Sequence, residues 1–170
     1  MELVNYSTKL RADVMWGSEE DGTELFLWPN NRSLSQEFSL EPKGGDWFQI
    51  RALHTGSCLT IQRGAPLGNG TRLAQYPCVG NGYKSEQWKF KDMNGNCEDN
   101  ALCVDAGRRV IVNRYTGRCI DTGNPSGRKP PRQSVLQQWD CIRTPKAWNA
   151  DNQIWIIYDP SSGKAITHPR

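Results

Sequence analysis

The side chains best suited to binding recur in three similar parts of the chain. Three eight-residue segments align with one another, and each closes on an aromatic residue: 21–28, 69–76 and 132–139. A short landmark precedes each segment: residues 11–13, 58–60 and 119–121. A second landmark follows each: residues 35–38, 85–88 and 152–155. Three landmarks in one order, three times over, indicate an internal repeat whose carboxylate, amide and aromatic groups suit hydrogen bonding and stacking.

Patterns typical of catalysis or of metal binding are missing from the sequence. Its two histidines are His54, in a predicted turn, and His168, near the end of the chain. The sequence lacks Gly-x-Ser-x-Gly, a phosphate loop, His-Glu-x-x-His and Cys-x-x-Cys. Nothing in it suggests the carboxylate pair that glycoside hydrolysis needs. We therefore expect no enzyme activity, no catalytic residues, no metal and no cofactor.

Six cysteines in an even, regular arrangement favour disulfides and an oxidising compartment over free thiols. Pairing between near neighbours would give Cys58–Cys78, Cys97–Cys103 and Cys119–Cys141. We prefer this pairing among the fifteen that six cysteines allow because its first and last members occupy equivalent places in two repeats. Secretion follows as an expectation. The start of the chain has no signal-peptide pattern, so we expect a leader to have been removed before Met1.

The overall composition excludes two classes of partner. With 170 residues and a formal net charge of +3, the chain has scattered basic residues and no run that could follow a phosphate backbone. No apolar stretch approaches the roughly 20 residues of a membrane span. We therefore predict neither nucleic-acid binding nor a transmembrane segment.

Short β-type runs separated by turn residues make up most of the sequence, and no sustained helical periodicity is present. The clearest runs are residues 3–6, 47–53, 110–113 and 154–158. One repeat of four short strands cannot bury both faces, whereas three repeats around a pseudo-threefold axis can close a barrel and cap it with hairpins. The sequence therefore predicts an all-β fold, a β-trefoil.

A single domain should span residues 1–170. Its repeats cover about 1–44, 45–92 and 108–160, and are called repeats one, two and three below. The extra length falls in surface-loop insertions: residues 93–107, which hold the small cysteine loop, and two loops in repeat three, 123–133 and 142–151.

Motifs spread over essentially the whole chain resemble the ricin-type β-trefoil lectin family, which is known for its Gln-x-Trp repeats. Residues 153–155 form the full motif, while residues 36–38 and 86–88 depart from it conservatively. Residues 135–141 are similar to the strand that precedes the family's second cysteine.

Members of this family bind sugars with five residues per repeat. The resemblance places these residues in repeat three at Asp121, Gln137, Trp139, Asn152 and Gln153. Asp121 would accept two sugar hydroxyls, Trp139 would stack on the ring, and Asn152 would bond one of the same hydroxyls. Gln137 and Gln153 would line the pocket or orient Asp121.

The other two repeats match this pattern less well. In repeat one we expect a second sugar site with Asp13, Trp28 and Gln36, weakened by Phe26 at the strand Gln position and Ser35 at the Asn position. Repeat two has lost the carboxylate and should have no competent sugar site; its residues are Thr60, Ala74, Tyr76, Ser85 and Glu86.

A purely structural role fits some of these residues. Trp88, Trp155 and Phe38 occupy the aromatic place of the Gln-x-Trp motif and should pack in the core. Gln36 and Gln153 could satisfy backbone groups inside their own repeats.

The resemblance implies a secreted lectin for galactose or N-acetylgalactosamine, acting mainly through repeat three. Its partners would be glycans on glycoproteins or glycolipids. The chain could serve as the targeting part of a larger toxin or glycosidase. The alternative is a protein-interaction trefoil, a toxin-complex subunit or an inhibitor, that uses the loops at 93–107 and 123–133, with Arg128, Lys129 and Arg132.

Overall fold

A computed structural model describes residues 1–80, 82–92, 108–123, 132–141 and 152–166. The Cys97–Cys103 pair, the insertion at 93–107 and most of the two loops in repeat three lie outside these residues. Within them the structure has three 3-10 turns, at Met15–Gly17, Leu34–Gln36 and Lys84–Glu86, and no helix that could cross a membrane.

Thirteen short strands form one antiparallel system in the described part of the chain. They are β1 (Glu2–Asn5), β2 (Arg11–Val14), β3 (Leu25–Trp28), β4 (Phe38–Pro42), β5 (Phe48–Ala52), β6 (Cys58–Ile61), β7 (Leu73–Tyr76), β8 (Gln87–Asp92), β9 (Arg108–Asn113), β10 (Cys119–Asp121), β11 (Gln137–Trp139), β12 (Trp155–Asp159) and β13 (Lys164–Ala165). The first twelve divide into four per repeat, and the clearest β-type runs of the sequence lie on β1, β5, β9 and β12.

The outer strands of each repeat close a barrel. Hydrogen-bonded pairs follow the order β1, β12, β9, β8, β5 and β4. Two backbone hydrogen bonds complete the ring, because Met1 N donates to Phe38 O at 2.8 Å and Phe38 N donates to Met1 O at 2.7 Å. A closed ring leaves no free strand edge.

The inner strands form three hairpins, β2–β3, β6–β7 and β10–β11, that cover one end of the barrel. Each hairpin is bridged to the next in the same cyclic way: Glu24 to Ala74, Arg72 to Gln137 and Val135 to Phe26. The backbone hydrogen bonds repeat this symmetry, at 2.8–2.9 Å: Leu27 N to Ser134 O, Gln75 N to Thr23 O and Gln138 N to Thr71 O. The predicted β-trefoil is confirmed.

The motif aromatics form the centre of the core, as predicted. Trp88 and Trp155 are fully buried and Phe38 is nearly so. The indole N–H of Trp88 donates to Leu59 O at 2.9 Å, and that of Trp155 to Ile120 O at 3.1 Å. They pack against aliphatic side chains from all three repeats, including Leu3, Val14, Leu25, Ile50, Ile61, Leu73, Ile111, Leu136 and Ile157.

Two disulfides tie strands of the cap to the loops that follow it. Cys58 is bonded to Cys78 and Cys119 to Cys141, with Cα atoms 5.0 Å apart in each pair. They occupy equivalent places in repeats two and three. Repeat one has no cysteine at either place.

Replacing Trp88 with Phe should destabilise the fold by about 1–3 kcal/mol, because the buried Leu59 carbonyl loses its donor and a cavity remains. Urea unfolding would measure the change. Trp16→Phe is the control, since Trp16 is 69% exposed and should unfold at nearly the unchanged midpoint. Equal shifts for both variants would contradict this account of the core.

Candidate functional site

The predicted residues of repeat three lie on hairpin β10–β11 and on the motif segment that is hydrogen-bonded to the end of β10. Asp121 pairs with Gln137 across the hairpin, and Trp139 lies two residues further along the same strand. Side chains two residues apart leave a strand on the same face, so Trp139 lies on the Asp121 side. Trp139 is 39% exposed, whereas Asp121 and Asn152 are buried.

The carboxylate of Asp121 is held by its neighbours. Its Oδ1 accepts from Gly123 N at 2.8 Å and from Gln137 Nε2 at 3.1 Å. Its Oδ2 accepts from Gln153 Nε2 at 3.1 Å, and the same amide donates to Asp140 O at 3.1 Å. The Asn152 carbonyl accepts from Thr122 N at 3.2 Å, which ties the motif to the end of β10. Gln137 and Gln153 are therefore placed to orient Asp121.

A turn from repeat two packs beside the exposed indole of Trp139. Gly70 has a φ of +87°, which favours glycine, and a Cβ there would lie 3.8 Å from both the Trp139 ring and the Gln137 amide. The preceding Asn69 donates to Asp140 Oδ2 at 2.9 Å and accepts from Asp140 N and from Arg118 Nε at 2.9 Å each. One wall of the repeat-three site therefore comes from the neighbouring repeat.

Repeat one contains the same carboxylate–amide hydrogen bond, formed here by Asp13 and Gln36. Gln36 Nε2 donates to Asp13 Oδ2 at 2.8 Å and to Pro29 O at 2.9 Å. Asp13 Oδ1 is buried, and no described residue donates a hydrogen bond to it. A buried acceptor without a donor is costly, which distinguishes Asp13 from Asp121.

A cavity of about 250 Å³ adjoins this pair. Three aromatic rings stand around it: Phe26 stacks on Trp28 with centroids 5.2 Å apart, and Trp16 meets them edge-on at 5.3 and 5.5 Å. The rest of its lining is small or polar: Asp13, Gly17, Asn31, Ser33 and Ser35. The cavity therefore combines an acceptor, hydroxyls, an amide and aromatic surface.

Trp16 was missed by sequence reasoning. It lies three residues after Asp13, in the turn after β2, where both Trp16 and Gly17 have positive φ. A bulky residue in that conformation is uncommon, and 69% of it is exposed. The available signal was an aromatic residue directly before a glycine. The corresponding position of repeat three lies outside the described residues.

Repeat two supports the turn that carries Trp16. Gln75 Nε2 donates to Ser18 O at 2.8 Å and to Glu20 O at 3.2 Å, and His54 Nε2 lies 3.1 Å from Ser18 O. Burial raises the pKa of the Asp13 carboxyl above its ordinary value; the Ser35 and Gln36 side chains and the charge of His54 oppose the rise.

The repeat-two pocket is filled by its own side chains. Glu86 replaces the motif Gln, is fully buried, and accepts from Gln49 Nε2 at 2.9 Å and from Arg63 at 3.1 Å. Arg63 also donates to Pro77 O at 3.0 Å, and its guanidinium lies 4.5 Å from the centre of the Tyr76 ring. The ring that would serve as the sugar plate is thus covered by a cation.

The remaining repeat-two residues also turn inward. Thr60 is fully buried and its hydroxyl donates to Ser85 O at 3.2 Å. Ala74 offers no polar group. Across the described residues, no group of three or more His, Cys, Asp or Glu is arranged to hold a metal ion.

The comparisons with known proteins agree with this architecture. A family model described as "Ricin-type beta-trefoil lectin domain-like" matches residues 1–76. The resemblance to the ricin-type β-trefoil lectin family is therefore confirmed. No curated protein matches the chain significantly in sequence.

Three solved structures illustrate the likeness, each aligned over 91% of this chain. A designed threefold-symmetric protein, ThreeFoil, has a TM-score of 0.73 and 21% identity over 94% of its length. The exo-beta-1,3-galactanase 1,3Gal43A of Clostridium thermocellum has a TM-score of 0.70 and 27% identity, and the match spans only 28% of that protein. The Macrolepiota procera ricin B-like lectin, in complex with lactose, has a TM-score of 0.63 and 19% identity over 90% of its length.

The buried Asp13 carboxyl should make stability depend on pH. Because its folded-state pKa is raised, the stability it contributes is present below its unfolded pKa and is lost as the pH rises through the folded value. The Asp13→Asn side chain does not titrate, so the variant should become more stable relative to the wild type as the pH rises through this window. At higher pH the difference between the two free energies of unfolding should stay constant. Urea unfolding between about pH 3 and pH 7 would measure the difference.

Glu41→Gln is a control of opposite sign, since the Lys43 hydrogen bond lowers the pKa of Glu41. The free energy of unfolding of that variant should fall relative to that of the wild type as the pH rises. A constant difference between Asp13→Asn and the wild type would contradict the burial of a charged Asp13.

Arg63→Ala should destabilise the protein by about 2 kcal/mol or more, because it leaves the buried Glu86 carboxylate without its counterion. Adding Glu86→Gln should recover much of the loss, since an amide at this place needs no cation. Unfolding midpoints of the single and double variants would show the coupling. Equal destabilisation in both would mean that Arg63 acts through packing alone.

Proposed function

We propose that the protein is a carbohydrate-binding module, without catalytic activity, that binds sugars in repeats one and three. The observation that carries the proposal is the carboxylate–amide pair beside an exposed aromatic ring, present as Asp13 with Gln36 and as Asp121 with Gln153. The hydroxyls of a sugar in water are already hydrogen-bonded to solvent. A binding site must therefore replace those bonds with fixed acceptors and donors, and must offer an apolar surface to the C–H face of the ring.

In repeat one, a sugar hydroxyl would supply the donor that Asp13 Oδ1 lacks, and Trp16 and Trp28 would present rings to the C–H face of the sugar. In repeat three, Asp121 would accept hydroxyls through its remaining lone pairs, Trp139 would stack on the ring, and Asn152 would contribute a further polar group. The contacts around Asp13 support a sugar site in repeat one as strongly as those around Asp121 support one in repeat three.

Galactose and N-acetylgalactosamine are the sugars we propose, in glycans on glycoproteins or glycolipids. The lactose complex of the Macrolepiota lectin and the galactanase among the similar structures support this sugar class. We also propose secretion, since two disulfides fit an extracellular protein. The galactanase match covers a small part of that enzyme, which supports a module attached to a larger toxin or glycosidase.

A single shallow site should bind weakly, with a Kd near about 1 mM or about −4 kcal/mol. Two sites on one chain, or a tethered partner, would raise the effective affinity for surfaces that carry many glycans.

Calorimetry with lactose and a glycan array would test the proposal. Asp121→Asn with Trp139→Ala, and Asp13→Asn with Trp16→Ala, should each remove binding at one site, with at least about a tenfold loss of affinity there. Lys91→Gln, on an exposed face of β8, is the control and should bind like the wild type.

The protein-interaction alternative makes a different prediction for the same variants. A folded protein that binds no glycan before mutation, and whose partner binding survives the combined Asp and Trp changes, would replace the lectin proposal with that alternative.

A further inference from the structure

A second cavity, larger than that of repeat one, lies at the junction of repeats two and three. Its volume is about 460 Å³, within the range of small-molecule sites. Three parts of the chain line the cavity: the turn after β6, residues 82–85, and Tyr115 of repeat three. Of the repeat-two residues that the family pattern assigns to a sugar site, Ser85 lines the cavity, whereas Thr60, Ala74 and Tyr76 do not.

Arg63 separates this cavity from the filled repeat-two pocket. Its guanidinium lies 4.5 Å from the centre of the Tyr76 ring and 5.6 Å from that of Tyr83. Tyr76 belongs to the filled pocket, whereas Tyr83 lines the cavity. The space therefore adjoins the site that the repeat pattern predicts for repeat two, shares Ser85 with it, and opens on the other side of Arg63.

The walls of the cavity offer exposed ring and apolar surface. Tyr115 is 59% exposed and Tyr83 is 39% exposed, and Leu67 adds an exposed aliphatic side chain. Rings on two sides of a cavity of this size suit the C–H faces of a sugar.

The charge of the cavity is opposite to that of the repeat-one site. Arg63 and Lys84 line it, and among the described residues no carboxylate does. Glu86 forms an ion pair with Arg63. Lys84 is exposed and makes no ion pair with any described residue. The repeat-one cavity has Asp13 in its lining, and none of the described residues that line it is a cation. An anionic group would be favoured in the first cavity and repelled in the second.

We infer that the cavity between Tyr83 and Tyr115 binds a sugar that carries a carboxylate or a sulfate group. The ring would pack against the tyrosines, and the anion would lie beside Lys84 and the exposed side of Arg63. The inference rests on the proposed function only in taking the ligand to be a sugar. The site itself shares no residue with the galactose sites of repeats one and three.

Titrations followed by ¹⁵N NMR would test the inference with three probes: glucuronate, galactose 6-sulfate and galactose. We expect at least one anionic probe to shift the amide signals of residues 62–67, 82–85 and 115, and galactose not to shift them. Lys84→Gln and Tyr115→Ala should each weaken anionic binding about fivefold or more, while Lys91→Gln should not. Raising the salt from about 0.05 M to about 0.5 M should weaken binding of the anionic probe, because exposed charges are screened.

The two anionic probes distinguish a carboxylate from a sulfate as the recognised group. Failure of both to bind, or binding unchanged in both Lys84→Gln and Tyr115→Ala, would overturn the inference. The Asp13→Asn and Asp121→Asn variants separate it from the proposed function. If they abolish galactose binding and leave anion binding intact, both proposals hold; if only the anionic probe binds the wild type, the galactose proposal alone fails.

Discussion

In repeats one and three, the candidate sugar site depends on one hydrogen bond, which the glutamine of the Gln-x-Trp motif donates to the aspartate on the second strand of the repeat. In repeats one and three the amide donates both to the carboxylate and to the carbonyl one residue after the aromatic, that of Pro29 or Asp140. A buried carboxylate is costly unless it is hydrogen-bonded. A neutral amide stabilises the carboxylate without acting as a counterion, so its remaining lone pairs can still accept hydrogen bonds from a ligand.

In repeat two, both the aspartate and the glutamine of this pair are replaced. Thr60 removes the carboxylate, Glu86 places one at the motif instead, and Arg63 supplies the counterion and the donor to the Pro77 carbonyl. An aspartate at position 60 beside Glu86 would bring two carboxylates together in a buried place, which is unfavourable. The changes therefore belong together. They preserve the fold while replacing an open acceptor with an internal ion pair.

The sequence was sufficient for the fold because the core depends on a pattern that each repeat carries locally. The order of landmarks predicted the trefoil, and the motif aromatics predicted the buried Trp88 and Trp155. Trp16 and Arg63 escaped prediction because they lie in turns whose lengths and residues differ between repeats. Each of these two side chains acquires its role only in the folded structure, where it lies against a neighbouring aromatic ring. Phe26 was expected to weaken the first site, yet it stacks on Trp28 beside the cavity.

Closure of three repeats creates the pockets as well as the core. The turn that opens each hairpin's second strand packs against the aromatic residue of the next repeat: a Cβ at Gly22 would lie 3.2 Å from the Tyr76 hydroxyl, Gly70 adjoins Trp139, and the Arg132 guanidinium lies 6.0 Å from the Trp28 ring centre. A single repeat would lack one wall of its own site. Because these walls belong to the rim, whereas Trp88 and Trp155 belong to the interior, the charge and the ligand of each rim site can change while the barrel beneath it keeps the same packing.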